Sequence, residues 1–210
     1  MIKLYGFGQT RSARCVWTLR ELGLEFEFVK VQLSKGEHFQ PEYKQLQPFA
    51  RVPVLQDGDL TLYESAAICC YLADRYGAAH GPIPALIPAL IPAPGSRERI
   101  LYDQWQSFVI SSFEQPLDRI VRHLWTYPEA SRSSAEIALA KQDFYSYCQT
   151  LEKLITPVLV GNTFSVADIL LCYVLKWSTL WDLLTDFPRL QAYLANHMER
   201  PAFPRELYAV

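Results

Sequence analysis

The chain has no run of basic residues and no excess of positive charge. Its 20 Lys and Arg stand against 22 Asp and Glu, for a formal net charge of −2, which speaks against nucleic acid as a partner. No uninterrupted apolar run approaches the roughly 20 residues needed to cross a bilayer. The opening Met1-Ile2-Lys3-Leu4-Tyr5 already reads as a strand, so no secretory leader is expected. Cys15, Cys69, Cys70, Cys148 and Cys172 are odd in number and lack paired spacing. Reduced thiols in a cytoplasm are therefore expected, each serving as a small core hydrophobe. Without a Cys-x-x-Cys, disulfide exchange is not the expected chemistry. The four histidines include no pair at ligand spacing, so no metal site is expected.

What is present is a globular composition: 210 residues, half of them hydrophobic and a fifth charged, enough for one domain or two small ones. The most informative stretch is Gln47-Pro48-Phe49-Ala50-Arg51-Val52-Pro53-Val54-Leu55, followed by Asp57-Gly58-Asp59 and Tyr63-Glu64-Ser65. Pro53 cannot donate to a sheet ladder, so it belongs at a strand's start or in a special turn. Asp57-Gly58 between apolar runs predicts a hairpin. Ser65 is placed to cap a helix beginning Ala66-Ala67-Ile68, whose first N–H groups would face an anion. A carboxylate bound there and a main chain paired with Val52 would describe a small peptide ligand lying across the turn.

Around this stretch, Ile2 to Tyr5 reads as a strand. Gly6 to Arg11 reads as a loop, and Ser12 precedes a helix carrying Cys15, Leu19 and Leu22 at helical spacing and ending at Gly23. Phe26 to Val31 is a second strand, which makes a βαβ unit with parallel strands. A polar, irregular connection from Ser34 leads into the hairpin and a helix to about Tyr76. Gly81 to Gly95 repeats Pro-Ala-Leu-Ile twice, and proline at that density excludes helix and sheet alike. We read it as a semi-extended linker whose Leu and Ile pack on a neighbouring surface. After Ser96 the pattern is helical. Tyr102, Trp105, Val109 and Phe113 share one face, with a break at Pro116. A second long helix covers Ser133 to about Ile155. A third is opened by Ser165-x-x-Asp168, a capping box with Phe164 as its staple residue. The predicted boundaries are 1–78, a proline-rich linker 79–95, and 96–210.

The segment Phe49 to Ser65 resembles the glutathione-binding segment of the cytosolic glutathione transferases, with Gln47 and Ala50 at turn positions where that family usually has Asn and Gly. The resemblance implies an α/β plus all-α fold, with a thioredoxin-like βαβ–ββα domain followed by a helical bundle. It implies glutathione as co-substrate, with no other cofactor. Val52 and a cis Pro53 would hold the cysteinyl unit, and Glu64 and Ser65 the γ-glutamyl carboxylate and amine. Gly36-Glu37-His38 is similar to a phi-class segment that contacts the glycyl carboxylate. His38 is thus a candidate donor there, against the alternative of a surface-loop histidine. Phe39 stands where that segment has Lys, and Arg51 is the candidate substitute.

A transferase of this kind must ionise a thiol whose ordinary pKa is about 8.5. Lowering it by about two units takes roughly 2.7 kcal/mol, and one hydrogen bond to the charged form supplies about 1.5–3 kcal/mol. The start of the first helix adds its dipole. The donor therefore lies within Gln9 to Ser12. The Ser-x-x-x-Arg pattern of theta- and phi-like members, counted back from Arg14, points to Thr10. Ser12 is the competing hydroxyl at a position that suits an N-cap, and Arg11 offers a fixed charge. This loop also looks like that of bacterial members including the chi class. Tyr5 falls too early for the family's catalytic tyrosine, and Cys15 lies too far inside its helix for a redox cysteine.

The electrophile site would draw on Phe7, Tyr102, Trp105, Phe108 and Trp177, although an aromatic stripe at helical spacing is more often core than pocket. The resemblance further implies a cytoplasmic, two-fold homodimer. The leading function is transfer of glutathione to hydrophobic electrophiles. The alternatives are a non-catalytic glutathione-binding module of the same fold, which fold alone does not separate from an enzyme, and glutathione-dependent peroxide reduction.

Overall fold

A computed structural model describes residues 1–77 and 89–208. The first copy of the Pro-Ala-Leu-Ile repeat and most of the predicted linker lie outside the described residues. Of the second copy, Leu90 and Ile91 are both buried. The chain divides into two compact units, residues 1–93 with 201–210, and residues 94–200.

In the first unit, β1 (Ile2–Gly6), α1 (Ser12–Glu21) and β2 (Phe26–Lys30) form the βαβ unit, with the two strands parallel and Ile2 opposite Phe26. A short helix, α2 (Pro41–Leu46), interrupts the connection that the sequence reads as irregular. Pro41 opens it at a first-turn position, where a missing N–H costs nothing. The hairpin β3 (Val54–Asp57) and β4 (Leu60–Tyr63) turns through Gly58-Asp59, with Gly58 at φ +62. α3 (Ser65–Tyr76) follows. The strand order is β2-β1-β3-β4, with β3 antiparallel to both neighbours.

The alternation of apolar residues in β1 puts Ile2, Leu4 and Gly6 inside. Leu4 pairs with Leu55, and both are wholly buried. α1 and α3 pack against each other and the sheet, supplying Trp17, Leu19, Ile68 and Leu72 to the core. Burial of each such side chain is worth about 1.5–3 kcal/mol. The Asp57 carboxylate accepts from the Tyr71 and Tyr76 hydroxyls and so ties the hairpin to α3. Burial, then that carboxylate, raises the Tyr76 pKa to about 12.

The second unit contains α4 (Arg97–Phe108), α5 (Gln115–Val121), α6 (Ser134–Leu154), α7 (Val166–Ser178) and α8 (Pro188–Met198). Between α4 and α5 the helix widens over 109–113, where the Glu114 N–H reaches back five residues to Val109 O at 2.9 Å. Pro116 cannot donate, and its ring crowds the preceding turn. The wide turn absorbs this without a chain reversal. Ser133 caps α6 by accepting from the Glu136 N–H. Ser165 and Asp168 form the reciprocal capping box of α7.

The last residues do not join the helical unit. The sequence assigned all of 96–210 to it, but 201–208 cluster with the first unit. Phe203 meets the Trp17 ring edge-on at 5.0 Å, and Glu206 accepts two bonds from Arg20. An aromatic contact to a residue wholly inside the first unit's core outweighs sequence proximity.

Candidate functional site

The sheet register explains why the candidate residues meet. Gly6, the last residue of β1, lies opposite Lys30, the last of β2, while Tyr5 lies opposite Val54, the first of β3. Val54 in turn faces Tyr63, the last of β4. The loops holding Phe7 to Arg11, His38, Arg51 to Pro53, and Glu64 and Ser65 therefore all leave from one end of the sheet.

The turn before β3 is built tightly. The Gln47 carboxamide oxygen accepts from the Phe49 N–H at 2.7 Å, and the Ala50 N–H closes on Gln47 O at 3.0 Å. Gln therefore does here the turn-closing work of a shorter amide. Ala50 adopts φ +54, a left-handed conformation natural to glycine. The Tyr43 hydroxyl donates to Arg51 O at 2.6 Å, and the Val52 side chain packs with Val31, Tyr43 and Val54. The Val52–Pro53 bond is cis. Val52 is thus anchored by its side chain, while none of the described residues hydrogen-bonds its amide or carbonyl. It offers an extended main-chain edge to a peptide.

Two features of α3 complete one side. Glu64 is held at φ +70 and is exposed, in a conformation that costs a non-glycine residue about 1–3 kcal/mol. The predicted Ser65 cap is not made. Ser65 is the helix's first residue, no side chain caps α3, and Ser65 Oγ instead accepts from Arg14 Nη1 at 3.2 Å. The helix's opening N–H groups are left for an external acceptor, and the dipole favours an anion there.

The loop after β1 holds the thiol-activating candidates. Thr10 Oγ1 donates to Phe7 O at 2.6 Å and lies 2.9 Å from Ser12 Oγ. Ser12 Oγ accepts from the Phe7 N–H at 3.3 Å. Ser12 is wholly buried and is the first residue of α1, with Arg11 at the N-cap. The cap expected of Ser12 is absent because its oxygen is turned back to Phe7. A Cβ on Gly6 would meet Ser12 Oγ at 2.6 Å, so the strand's end leaves room for no side chain. Thr10 and Arg11 are half-buried. Removing the Ser12 hydroxyl would strand the Phe7 N–H. Ser12→Ala is expected to cost about 1–3 kcal/mol of stability in denaturant unfolding.

The His38 ring lies tilted against Phe39, with ring centroids 3.9 Å apart, and its Nδ1 is buried without a partner. Burial, then the Arg51 charge, lowers its pKa, which favours the neutral ring. Arg51 is exposed. Tyr5 donates to Gln56 Oε1 at 2.7 Å, away from the loop. Cys15 is wholly buried, and burial raises its thiol pKa well above the ordinary range.

Among the predicted electrophile-site aromatics, Tyr102 is wholly buried and presents no surface to a substrate. Trp105 and Phe108 keep partial exposure and meet edge-on at 5.8 Å. Trp177 packs between Tyr173 and Trp181. Phe7 is half-buried with Lys30 Nζ over its ring. Among the described residues, no group of three or more His, Cys, Asp or Glu could hold a metal ion. Arg14, which sequence spacing alone ties only to Thr10, is wholly buried and reaches Ser65. The one available signal was an arginine on the apolar face of α1, between Ala13 and Cys15.

The chain is similar to known proteins in both sequence and fold. The family described as "Glutathione S-transferase, N-terminal domain" matches residues 1–74, and "Glutathione S-transferase, C-terminal domain" matches residues 117–203. The chain is 34% identical over 179 residues to glutathione S-transferase PM239X14 of Arabidopsis thaliana, covering 80% of this chain and 77% of that one. It is 30% identical over 218 residues to glutathione S-transferase PARB of Nicotiana tabacum, covering 98% and 97%. The crystal structure of glutathione transferase F7 from Populus trichocarpa superposes with a TM-score of 0.84 at 25% identity, over 99% of this chain and 98% of that one.

Proposed function

Because this chain belongs to the glutathione S-transferase family, we propose that glutathione docks main chain to main chain on Val52 and loses its thiol proton beside Thr10. The observation that carries this reading is the unpartnered Val52 main chain at the sheet end where the Thr10 hydroxyl and the uncapped start of α3 also stand. The γ-glutamyl carboxylate takes the α3 N–H groups and Ser65, and its amine takes the exposed Glu64. The glycyl carboxylate takes Arg51 and the neutral His38 ring.

Thr10 is the thiol-facing donor in this reading. Ser12 is wholly buried, so its proton goes to Thr10 Oγ1, 2.9 Å away. Thr10 then turns its own proton from Phe7 O to the sulfur. It exchanges a neutral hydrogen bond worth about 1 kcal/mol for one to a charged group worth about 1.5–3 kcal/mol, so the exchange favours the thiolate. The dipole of α1 adds to it, and Arg11 contributes charge without direct contact. The thiol proton leaves to solvent. The thiolate then attacks an electrophilic carbon, with expulsion of a leaving group when the reaction is a substitution. The protein supplies proximity and a fixed field.

Placement among the phi- and theta-like members rests on Thr10 standing four residues before Arg14, and the likeness to chi-class members on the arginine-bearing stretch from Gln9 to Trp17. A hydrophobic electrophile as the second substrate belongs to this proposal, as do the two-fold homodimer and the cytoplasmic location. Among the described residues no helix is long and apolar enough to cross a membrane.

The test pairs glutathione calorimetry with consumption of an aromatic halide electrophile and, separately, of an organic hydroperoxide. Binding with conjugation is expected. Binding with neither reaction would favour the non-catalytic module, and turnover of the hydroperoxide alone would favour the peroxidase. No binding at millimolar glutathione would end the reading.

A further inference from the structure

Arg14 is among the largest wholly buried side chains of the protein, at 1% exposure. A guanidinium is always charged and can only donate. Its Nη1 reaches across 51 residues of sequence to donate to Ser65 Oγ at 3.2 Å. Ser65 is itself buried, at 5% exposure. The neighbouring Cys15 Sγ lies 3.7 Å from the Ser65 carbonyl oxygen, so two consecutive residues of α1 hold both polar ends of the residue that opens α3. Arg14 is held in turn: Thr18 Oγ1 donates to its carbonyl at 2.9 Å, and its N–H closes on Arg11 O at 3.3 Å.

A serine hydroxyl has one proton and two lone pairs, and in most settings the rotor chooses freely between donating and accepting. Here one lone pair is taken by a donor that cannot accept in return. The proton must therefore point away from Arg14, and the helix dipole at the same spot selects an anionic acceptor. We propose that Arg14 is a positioning residue: it makes Ser65 a dedicated donor to the α-carboxylate of the γ-glutamyl unit and sets a buried positive charge beneath that carboxylate. This rests on the glutathione reading above. It assigns to α1 a role at the end of the ligand opposite to the thiol chemistry usually sought there. Arg14 needs no contact with the ligand.

The experiment compares glutathione with its analogue carrying a γ-aminobutyryl unit in place of γ-glutamyl, which lacks only the α-carboxylate. Calorimetry on the wild type, Arg14→Gln, Arg14→Lys, Ser65→Ala and the Arg14→Gln/Ser65→Ala pair gives the preference of each for the carboxylate. The wild type is expected to prefer glutathione by about tenfold or more, as suits a hydrogen bond to a charged group. Arg14→Gln and Ser65→Ala should each lose most of that preference, and the double variant should lose no more than Arg14→Gln alone. Arg14→Lys keeps charge without the planar fork and should fall between. Thermal unfolding of every variant accompanies the binding data. If Arg14→Gln does not fold, Arg14→Lys carries the same comparison. A folded Arg14 variant that weakens both ligands equally, or that keeps the full preference, overturns the inference while the glutathione reading stands. A wild type that binds neither ligand overturns the reading itself.

Discussion

Replacing Thr10 with valine is expected to lower kcat/KM for conjugation by about 10- to 100-fold, the range set by losing a hydrogen bond to a charged group. Glutathione affinity should change little, because docking rests on Val52, the start of α3 and the glycyl contacts. The thiol pKa of bound glutathione should rise by about one to two units toward its ordinary value. Valine keeps the branched shape and removes only the hydroxyl. Ser12→Ala should affect rate less than Thr10→Val, since Ser12 acts through Thr10, while costing the stability noted above. Arg11→Met should change the rate by no more than about threefold, the size of a partly screened charge effect. Stopped conjugation assays and a pH titration of the thiolate absorbance separate the three. A rate collapse at Arg11 with Thr10→Val unaffected would transfer the role from the hydroxyl to the guanidinium.

The largest expected effect on stability belongs to the helical unit. Asp168 is wholly buried at the start of α7 and accepts four hydrogen bonds. They come from the Ser165 N–H and hydroxyl, the Leu159 N–H at 2.8 Å and the Tyr193 hydroxyl at 2.6 Å. One carboxylate thus fixes the cap of α7, the loop before it and α8. Asp168→Ala strands the Leu159 N–H and the Tyr193 hydroxyl in a buried site. Each stranded group costs about 1–3 kcal/mol, and with the lost cap the total is about 3–5 kcal/mol. For a chain of this size that lowers Tm by roughly 10 °C. Asp168→Asn should cost less, because one amide oxygen still accepts. Denaturant unfolding followed by tryptophan emission checks both. A loss below about 1 kcal/mol for Asp168→Ala would mean that water reaches the site and replaces the carboxylate.

Much of this end of the sheet was legible because it depends on short-range backbone demands. Val52-Pro53 before an apolar strand, Asp57-Gly58 at a hairpin and Glu64-Ser65 at a helix start are local signals, and the structure has the cis bond, the hairpin turn at Gly58-Asp59 and the start of α3 there. The capping box of α7 is equally local. The misread features all involve a partner distant in sequence or a competition between two partners. Ser12 reads as an N-cap, but its oxygen turns back to the Phe7 N–H. Ser65 reads as a cap, but Arg14 claims its oxygen from α1. The tail reads as part of the helical half, yet Phe203 finds Trp17. Tyr102 reads as core more readily than as pocket but not decisively, because helical periodicity reports which residues share a face and not what that face meets. The widening before Pro116 was foreseeable as a break but not in form, since a kink and a wide turn relieve the same clash.

The central claim is that glutathione is held by main-chain pairing with Val52, and one binding measurement addresses it directly. Glutathione is compared by calorimetry with its analogue methylated at the cysteinyl amide nitrogen, which keeps every charge and the thiol but cannot donate to the Val52 carbonyl. The account predicts that the analogue binds at least about tenfold more weakly, the loss of a desolvated backbone bond together with the steric cost of the methyl group. Equal affinities for the two would contradict it.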